Sequence, residues 1–228
     1  MFDTEYSNFS MVAGCDEVGR GPLAGPVVGS CVLVRGDQLT PNNIQFLLDL
    51  GVNDSKKLNR KKRLLILKKL GIDHSLINSK VEVTINQNFS IVYSTAVISN
   101  DVIDEINILR ASLKAMSEAF IRCYDNSKDC AKVLIDGNKL LNINDKRFCE
   151  EFVIKGDSKS VLIGLASIIA KEYRDELMEK LSVQYPGYGL ESHAGYPTKK
   201  HKEAISALGV TEIHRKTFKG VKEFCVDH

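Results

Sequence analysis

The chain has no tryptophan, only five prolines among 228 residues, and no excess of charge of one sign: 31 Lys and Arg stand against 29 Asp and Glu, a formal +2. So even a balance excludes a polybasic or polyacidic chain and leaves any nucleic-acid contact to local charge distribution. That distribution is uneven, with one basic cluster over Lys56 to Lys69 and another over Lys199 to Lys222. The six cysteines, at 15, 31, 123, 130, 149 and 225, include no C-x-x-C pair and none with histidine at zinc-ligand spacing. Neither a zinc ribbon nor a dithiol redox motif is therefore expected. They read as packing thiols in a reducing compartment, with Cys15 set apart because it abuts Asp16. No apolar run is long: Val161 to Ala170 falls far short of a bilayer span. The opening MFDTEYSNFS lacks the basic start and apolar core of a signal peptide. A cytoplasmic protein with no membrane contact is expected. Repeats and low-complexity linkers are also missing, and the length suffices for a full core without staples.

What is present centres on Met11 to Pro26, MVAGCDEVGRGPLAGP. A short apolar run leads into adjacent acids, Asp16 and Glu17, and then into a glycine-dense turn, Gly19, Arg20, Gly21, Pro22. This predicts a buried strand with charge at its end, followed by closely approached backbone around one cation. The pattern predicts strands at Val12 to Glu17, Val27 to Val34, Ser79 to Gln87, Ser90 to Ile98, Lys132 to Ile135 and Glu151 to Lys155. Helices are predicted at Pro41 to Leu50, at Arg60 to Leu70 between Asn59 and Gly71, and from Asn100 or Asp101 to Tyr124. Two more are predicted at Lys159 to Leu181 and from Pro197 to Leu208. Residues 1–10 read as a polar lead-in, and Tyr185 to Gly195 as a Gly- and Tyr-rich loop. Strands first, then strand–helix alternation, point to an α/β or α+β core with a mixed sheet.

Three predicted strands end in acids, at Asp16-Glu17, Asp136 and Asp157, each where an apolar run gives way to glycine. Such ends can gather at one sheet edge. Like charges about 4 Å apart repel by roughly 4 kcal/mol at an effective dielectric near 20, so converging carboxylates need a cation or protonate. Hard oxygen donors suit Mg²⁺, and two such ions activate a water and stabilise a leaving oxygen in an in-line displacement. Taken singly, Asp136 and Asp157 read more readily as ordinary turn residues than as ligands.

In order and spacing, the strings GCDEVGRGPLAGPVV at 14–28, DSKKL at 54–58, INILRASLKAM at 106–116, IDGN at 135–138, KGD at 155–157, ASIIAKEYRD at 166–175, GYPTKKH at 195–201 and HRKTF at 214–218 resemble bacterial ribonuclease HII, the type 2 ribonuclease H. The resemblance runs over residues 11–220, and the turn reads Gly-Arg-Gly instead of the Gly-Lys-Gly of the ribonuclease HIII type. It implies an α/β fold, a ribonuclease H-like mixed sheet flanked by helices, with a catalytic core over 1-184 and a small C-terminal helical extension over 185-228. It also implies an endoribonuclease that cleaves the RNA strand of RNA–DNA hybrids. That enzyme would also cut DNA duplexes 5′ of embedded ribonucleotides, leaving 3′-hydroxyl and 5′-phosphate ends, with two Mg²⁺ or Mn²⁺ ions per site. Asp16, Glu17, Asp136 and Asp157 map onto the metal-binding, catalytic acids, with Asp16 expected to bridge the ions. Gly19, Arg20 and Gly21 map onto the segment that reads the 2′-hydroxyl and adjacent phosphates, and Tyr196 onto the tyrosine that packs on the sugar at an RNA–DNA junction. The 2′-hydroxyl, donor and acceptor at once, is what distinguishes RNA from DNA at a single nucleotide.

Other positions stay open between two readings. Lys56 is a phosphate contact or a solvated charge at a helix start. Lys171 faces nucleic acid or pairs with acids on its own helix, while Arg174 reads as structural. Lys199, Lys200, Lys202, Arg215, Lys216 and Lys219 are expected to form a basic face along the duplex, and His201 and His214 to lie at the surface. A monomer is expected. A nuclease acting on DNA alone and a non-catalytic nucleic-acid binder remain as alternatives, the first disfavoured by the turn and Tyr196, the second by the four acids.

Overall fold

The computed structural model describes residues 2–52, 58–125 and 128–225. Six strands form one mixed sheet in the order β3-β4-β2-β1-β5-β6, comprising β1 (Met11–Val18), β2 (Val27–Arg35), β3 (Val81–Asn86), β4 (Phe89–Ile98), β5 (Ala131–Asp136) and β6 (Phe148–Val153). The first four pair antiparallel, and β1, β5 and β6 run parallel to one another. The helices are α1 (Pro41–Asp49), α2 (Arg60–Leu70), α3 (Asn100–Ile106), α4 (Ile108–Tyr124), α5 (Val161–Gln184), α6 (Leu190–His193) and α7 (Lys199–Leu208). This mixed sheet flanked by helices is the ribonuclease H-like arrangement that the resemblance implied. No described helix is long and apolar enough to cross a membrane.

Both faces of the central strands are covered, which is why they read as near-continuous apolar runs. One face carries Ala13, Cys15, Cys31, Val133 and Ile135 against Met116 and Phe120 of α4. The other carries Val12, Val32 and Leu134 against α5, with Ile44, Leu47, Ile66 and Leu67 of α1 and α2 beyond it. Burying each of Ile163, Leu165, Ile168 and Ile169 of α5 contributes about 1.5–3 kcal/mol. Gly14 lets α5 sit directly on β1: a Cβ there would lie 2.4 Å from Ile163 N. That contact sets the start of α5 beside the strand end that bears Asp16. A further cluster joins Leu23 and Ala24 of the turn to Met178 of α5 and to Tyr188, Leu190, Ile205, Ile213 and Val221 of the C-terminal segment.

Several expectations change. Residues 2–6 are not a loose lead-in but a 3-10 helix whose buried Asp3 accepts from Ser160 Oγ at 2.5 Å and Val161 N at 2.9 Å, bracing the start of α5. The expected single helix from 100 or 101 to 124 is two, capped at Ser99 and broken at Asn107, which takes φ 68° and accepts from Arg110 N to start the second. Asparagine tolerates that conformation and supplies the new cap. The last strand lies at Phe148–Val153, earlier than Glu151 to Lys155, because it pairs in register with Ala131–Asp136 and the chain then turns at Lys155, φ 56°. Within 185–195 the loop contains the short α6, and α7 begins at Lys199 with Thr198 as its cap. His201 and His214 are fully buried instead of at the surface, and so is Arg215, which leaves the expected basic face. Lys56 and the rest of its loop lie outside the described residues.

Candidate active site

Strand pairing assembles the acids. Cys15 stands opposite Ile135 in the parallel β1–β5 register, so Asp16 and Asp136 come next on adjacent strands, at their carboxyl ends. This edge of an α/β sheet is where ligands usually bind. Asp157 follows β6 in a 3-10 turn, Gly156–Ser158, and is buried. The two segments are tied by Gly156 N–H donating to Asp136 Oδ1 at 2.6 Å.

The local electrostatics are costly for negative charge. Burial chiefly, and then the charges of Glu17 and Asp136, hold the Asp16 carboxyl well above the usual carboxylate range. The Ser167 hydroxyl and the Glu17 amide, 2.7 Å from Oδ1, oppose this only in part. Glu17 is pushed up to about 7, again mainly by burial, with Asp136 adding repulsion and Arg20 countering it. Arg20 Nη1 lies 3.3 Å from Glu17 Oε1. Among the described residues, no three His, Cys, Asp or Glu side chains are already gathered in a metal-holding arrangement. The donor set nonetheless fits a hard divalent cation: its oxygens are carboxylate, mutually repelling and shielded from water, so a cation between them would offset the repulsion.

A cavity of about 290 Å³ opens over this edge. Asp16, Glu17, Gly19, Arg20, Gly21, Asp136 and Tyr196 all line it, together with Val18, Ser167 and Lys171. Asp157 is not among the lining residues, and Lys56 is outside the described ones. Three of the four acids, the turn and the tyrosine therefore share one space. Tyr196 is half exposed, and its ring lies over Gly21, where a Cβ would meet Cε1 at 3.4 Å. Gly19 takes φ 95°, and a Cβ there would lie 2.3 Å from Arg174 Nε. The glycine is thus required by the protein's own packing, a reason the sequence did not show.

Sequence reasoning passed over Ser167 and left Lys171 open. Four residues apart, they share a face of α5, and a polar pair interrupting the apolar ASIIA run was the available signal. Lys171 serves both readings, lining the cavity while its Nζ lies 3.3 Å from Asp175 Oδ2. Asp175 is in turn held by Arg63, itself paired with the fully buried Glu172. Arg174 is structural, as expected: it is buried and bonds to backbone carbonyls.

Residues 13–221 match the model of the family described as Ribonuclease HII. Among similar proteins, the ribonuclease HII of Chlamydia caviae is 43% identical over 216 residues, covering 94% of this chain and 87% of that one. The ribonuclease HII of Endomicrobium trichonymphae is 39% identical, covering 97% and 92%. Of solved structures, ribonuclease H2 from Pyrococcus horikoshii superposes with a TM-score of 0.64 at 26% identity, covering 94% of this chain and 96% of that one. Bst-RNase HIII, solved in complex with Mn²⁺, shares the fold at a TM-score of 0.68 and 20% identity, covering 97% and 71%. With the family model and these relatives spanning nearly its whole length, the chain belongs to the ribonuclease HII family, and it is a ribonuclease H, a nuclease that hydrolyses phosphodiester bonds.

Proposed function

We propose that the protein cleaves the RNA strand of RNA–DNA hybrids and also cuts duplex DNA on the 5′ side of an embedded ribonucleotide, leaving 3′-hydroxyl and 5′-phosphate ends. Asp16, Glu17, Asp136 and Asp157 would hold two divalent ions in this reading. Bound Mg²⁺ or Mn²⁺ would supply an activated water and charge neutralisation at the leaving oxygen. The chain's own residues do the rest. Asp16 and Asp136, at adjacent strand ends, would set where those ions sit at the sheet edge. Ser167 holds the Asp16 carboxyl through its hydroxyl. Arg20, half exposed beside Glu17, presents its fork to a phosphate. Backbone of Gly19 and Gly21 meets the 2′-hydroxyl, and the Tyr196 ring packs on the neighbouring sugar. Lys199, Lys200 and Lys202, exposed in the first turn of α7 just after Tyr196, extend phosphate contact along the duplex as a monomer binds it.

The observation that carries this reading is the single cavity lined by Asp16, Glu17 and Asp136 on one side and by Gly19–Gly21 and Tyr196 on the other. A site that only hydrolysed phosphodiesters would not need the second wall. The test offers three duplexes with Mg²⁺ or Mn²⁺: all-DNA, DNA with one ribonucleotide, and a uniform RNA–DNA hybrid. Cleavage of the second and third, with the second cut once at the 5′ side of the ribonucleotide, is expected. An intact second duplex, or equal cutting of all-DNA, would overturn the proposal.

A further inference from the structure

Five carbonyls of the β1–β2 turn point at two buried arginines that the mechanism above does not use. Arg215, fully buried, donates through Nη2 to Gly19 O at 2.6 Å and Pro26 O at 3.2 Å. Its Nη1 donates to Arg20 O and its Nε to Gly25 O, both at 3.0 Å. Arg174, 1% exposed, donates from Nε to Pro26 O at 3.1 Å and from Nη2 to Ala24 O at 3.2 Å. Its third arm, Nη1, reaches Ala194 O at 3.0 Å, two residues before Tyr196. Among the described residues neither guanidinium pairs with a carboxylate; Arg215 lies 5.0 Å over the Phe218 ring instead. A planar fork with five donors suits such a fan of carbonyls, which a lysine ammonium cannot match.

The same bed reaches the tyrosine wall. Leu23 N donates to Gly195 O at 2.8 Å, and that carbonyl and Tyr196 O both face His201 Nδ1 at 3.1 Å. With two carbonyls before it, His201 Nδ1 carries the proton, so its Nε2 accepts. His214 Nδ1 accepts from Thr211 N at 3.1 Å, so its own Nε2 carries a proton and donates to His201 across 3.3 Å. Turn, tyrosine loop and C-terminal segment are thus one hydrogen-bonded body, and neither Arg174 nor Arg215 lines the cavity.

We infer that Arg174 and Arg215 are positioning residues that fix the backbone of the turn, and Tyr196 with it, at the separation a ribose-bearing strand requires. Sugar discrimination is then a property of the C-terminal segment as much as of the Gly-Arg-Gly turn. The inference rests on the proposal that turn and Tyr196 choose the ribonucleotide.

The test compares Arg215→Lys and Arg174→Lys, which keep the charge and lose the fork, with the wild type. The readout is the ratio of single-turnover cleavage rates for a DNA duplex bearing one ribonucleotide and the same duplex bearing 2′-fluoro-deoxyribose at that position. Misplacement by about an ångström costs up to about 10²-fold, so the ratio should fall at least about tenfold in each variant, with the Mn²⁺ concentration for half-maximal rate unchanged. A merely structural loss lowers the active fraction for both substrates and leaves the ratio alone. Thermal melting shows which variants are folded at the assay temperature. Where the arginine variants are not, Phe218→Leu, which removes the ring beneath the fork, should lower the ratio by about 2–5-fold. A folded variant of either arginine with the wild-type ratio, or an unchanged ratio in Phe218→Leu where neither arginine variant folds, overturns the inference. Failure of the wild type to cut the ribonucleotide duplex would instead sink the function proposed above.

Discussion

At the carboxyl ends of β1 and β5, Asp16, Glu17 and Asp136 crowd like charges, and burial disfavours the ionised forms of Asp16 and Glu17. Beneath the turn that follows, two cations are just as crowded, yet three hydrogen bonds from Arg174 and four from Arg215 meet them with carbonyls. The first region is electrostatically incomplete in the protein alone and gains most from a bound cation. The second is satisfied by the chain itself and is set before any substrate arrives. On the proposed function, chemistry and sugar choice would thus rest on opposite treatments of buried charge, a few residues apart on one strand-turn.

The largest effect that would break this contrast is at Asp136. Asp136→Asn keeps the shape and the acceptor for Gly156 N–H while removing one repelling charge. Losing a metal carboxylate forfeits a few kcal/mol of transition-state stabilisation, so cleavage should fall by about 10³-fold or more. The metal-free melting temperature should hold or rise, because Asp16 and Glu17 lose a repelling neighbour. A wild-type turnover rate would remove Asp136 from the metal site.

A smaller effect separates the regions by pH. Glu17, raised from 4.5 to about 7, adds stability that is full below its unfolded pKa and lost as pH rises through 7. His214 works the other way. Burial first, and His201 second, lower it from 6.5 to about 4, so its contribution is full above 6.5 and lost as pH falls toward 4. Protonation would also cost the bond that its Nδ1 accepts from Thr211 N. At about 1.4 kcal/mol per unit, the His214 effect is at most about 3.5 kcal/mol. The stability of the wild type relative to His214→Gln should therefore decline between pH 6.5 and 4, as read by denaturant unfolding at each pH. A flat difference would show that His214 does not titrate in the folded body.

Much of this was legible in the residues. Acids at the ends of apolar runs marked the strand ends, and glycine with arginine marked the turn, because both follow from local pattern. Asn59 and Gly71 bounded α2 where a cap and a left-handed stop belong. What was not legible is long-range. Nothing local distinguishes Arg215, buried under the turn, from the exposed Lys216 beside it, since its carbonyl partners lie some 190 residues away in sequence. His201 and His214 read as surface residues for the same reason: each is satisfied by the other and by loop backbone. Asp3 looked like part of a polar lead-in because its partners, Ser160 and Val161, are equally remote. Asn107 broke a helix that periodicity ran straight through, since apolar spacing continues across it.

The contrast is tested most directly by a protein that binds and does not cut. Asp136→Asn, incubated with a DNA duplex containing one ribonucleotide and with the identical all-DNA duplex, should bind the first at least about tenfold more tightly by fluorescence anisotropy, a difference of about 1.4 kcal/mol. That result would show the turn and its arginine bed choosing the sugar with the chemistry disabled. Equal affinity for the two duplexes would contradict it and place ribose discrimination in the acids and their metal.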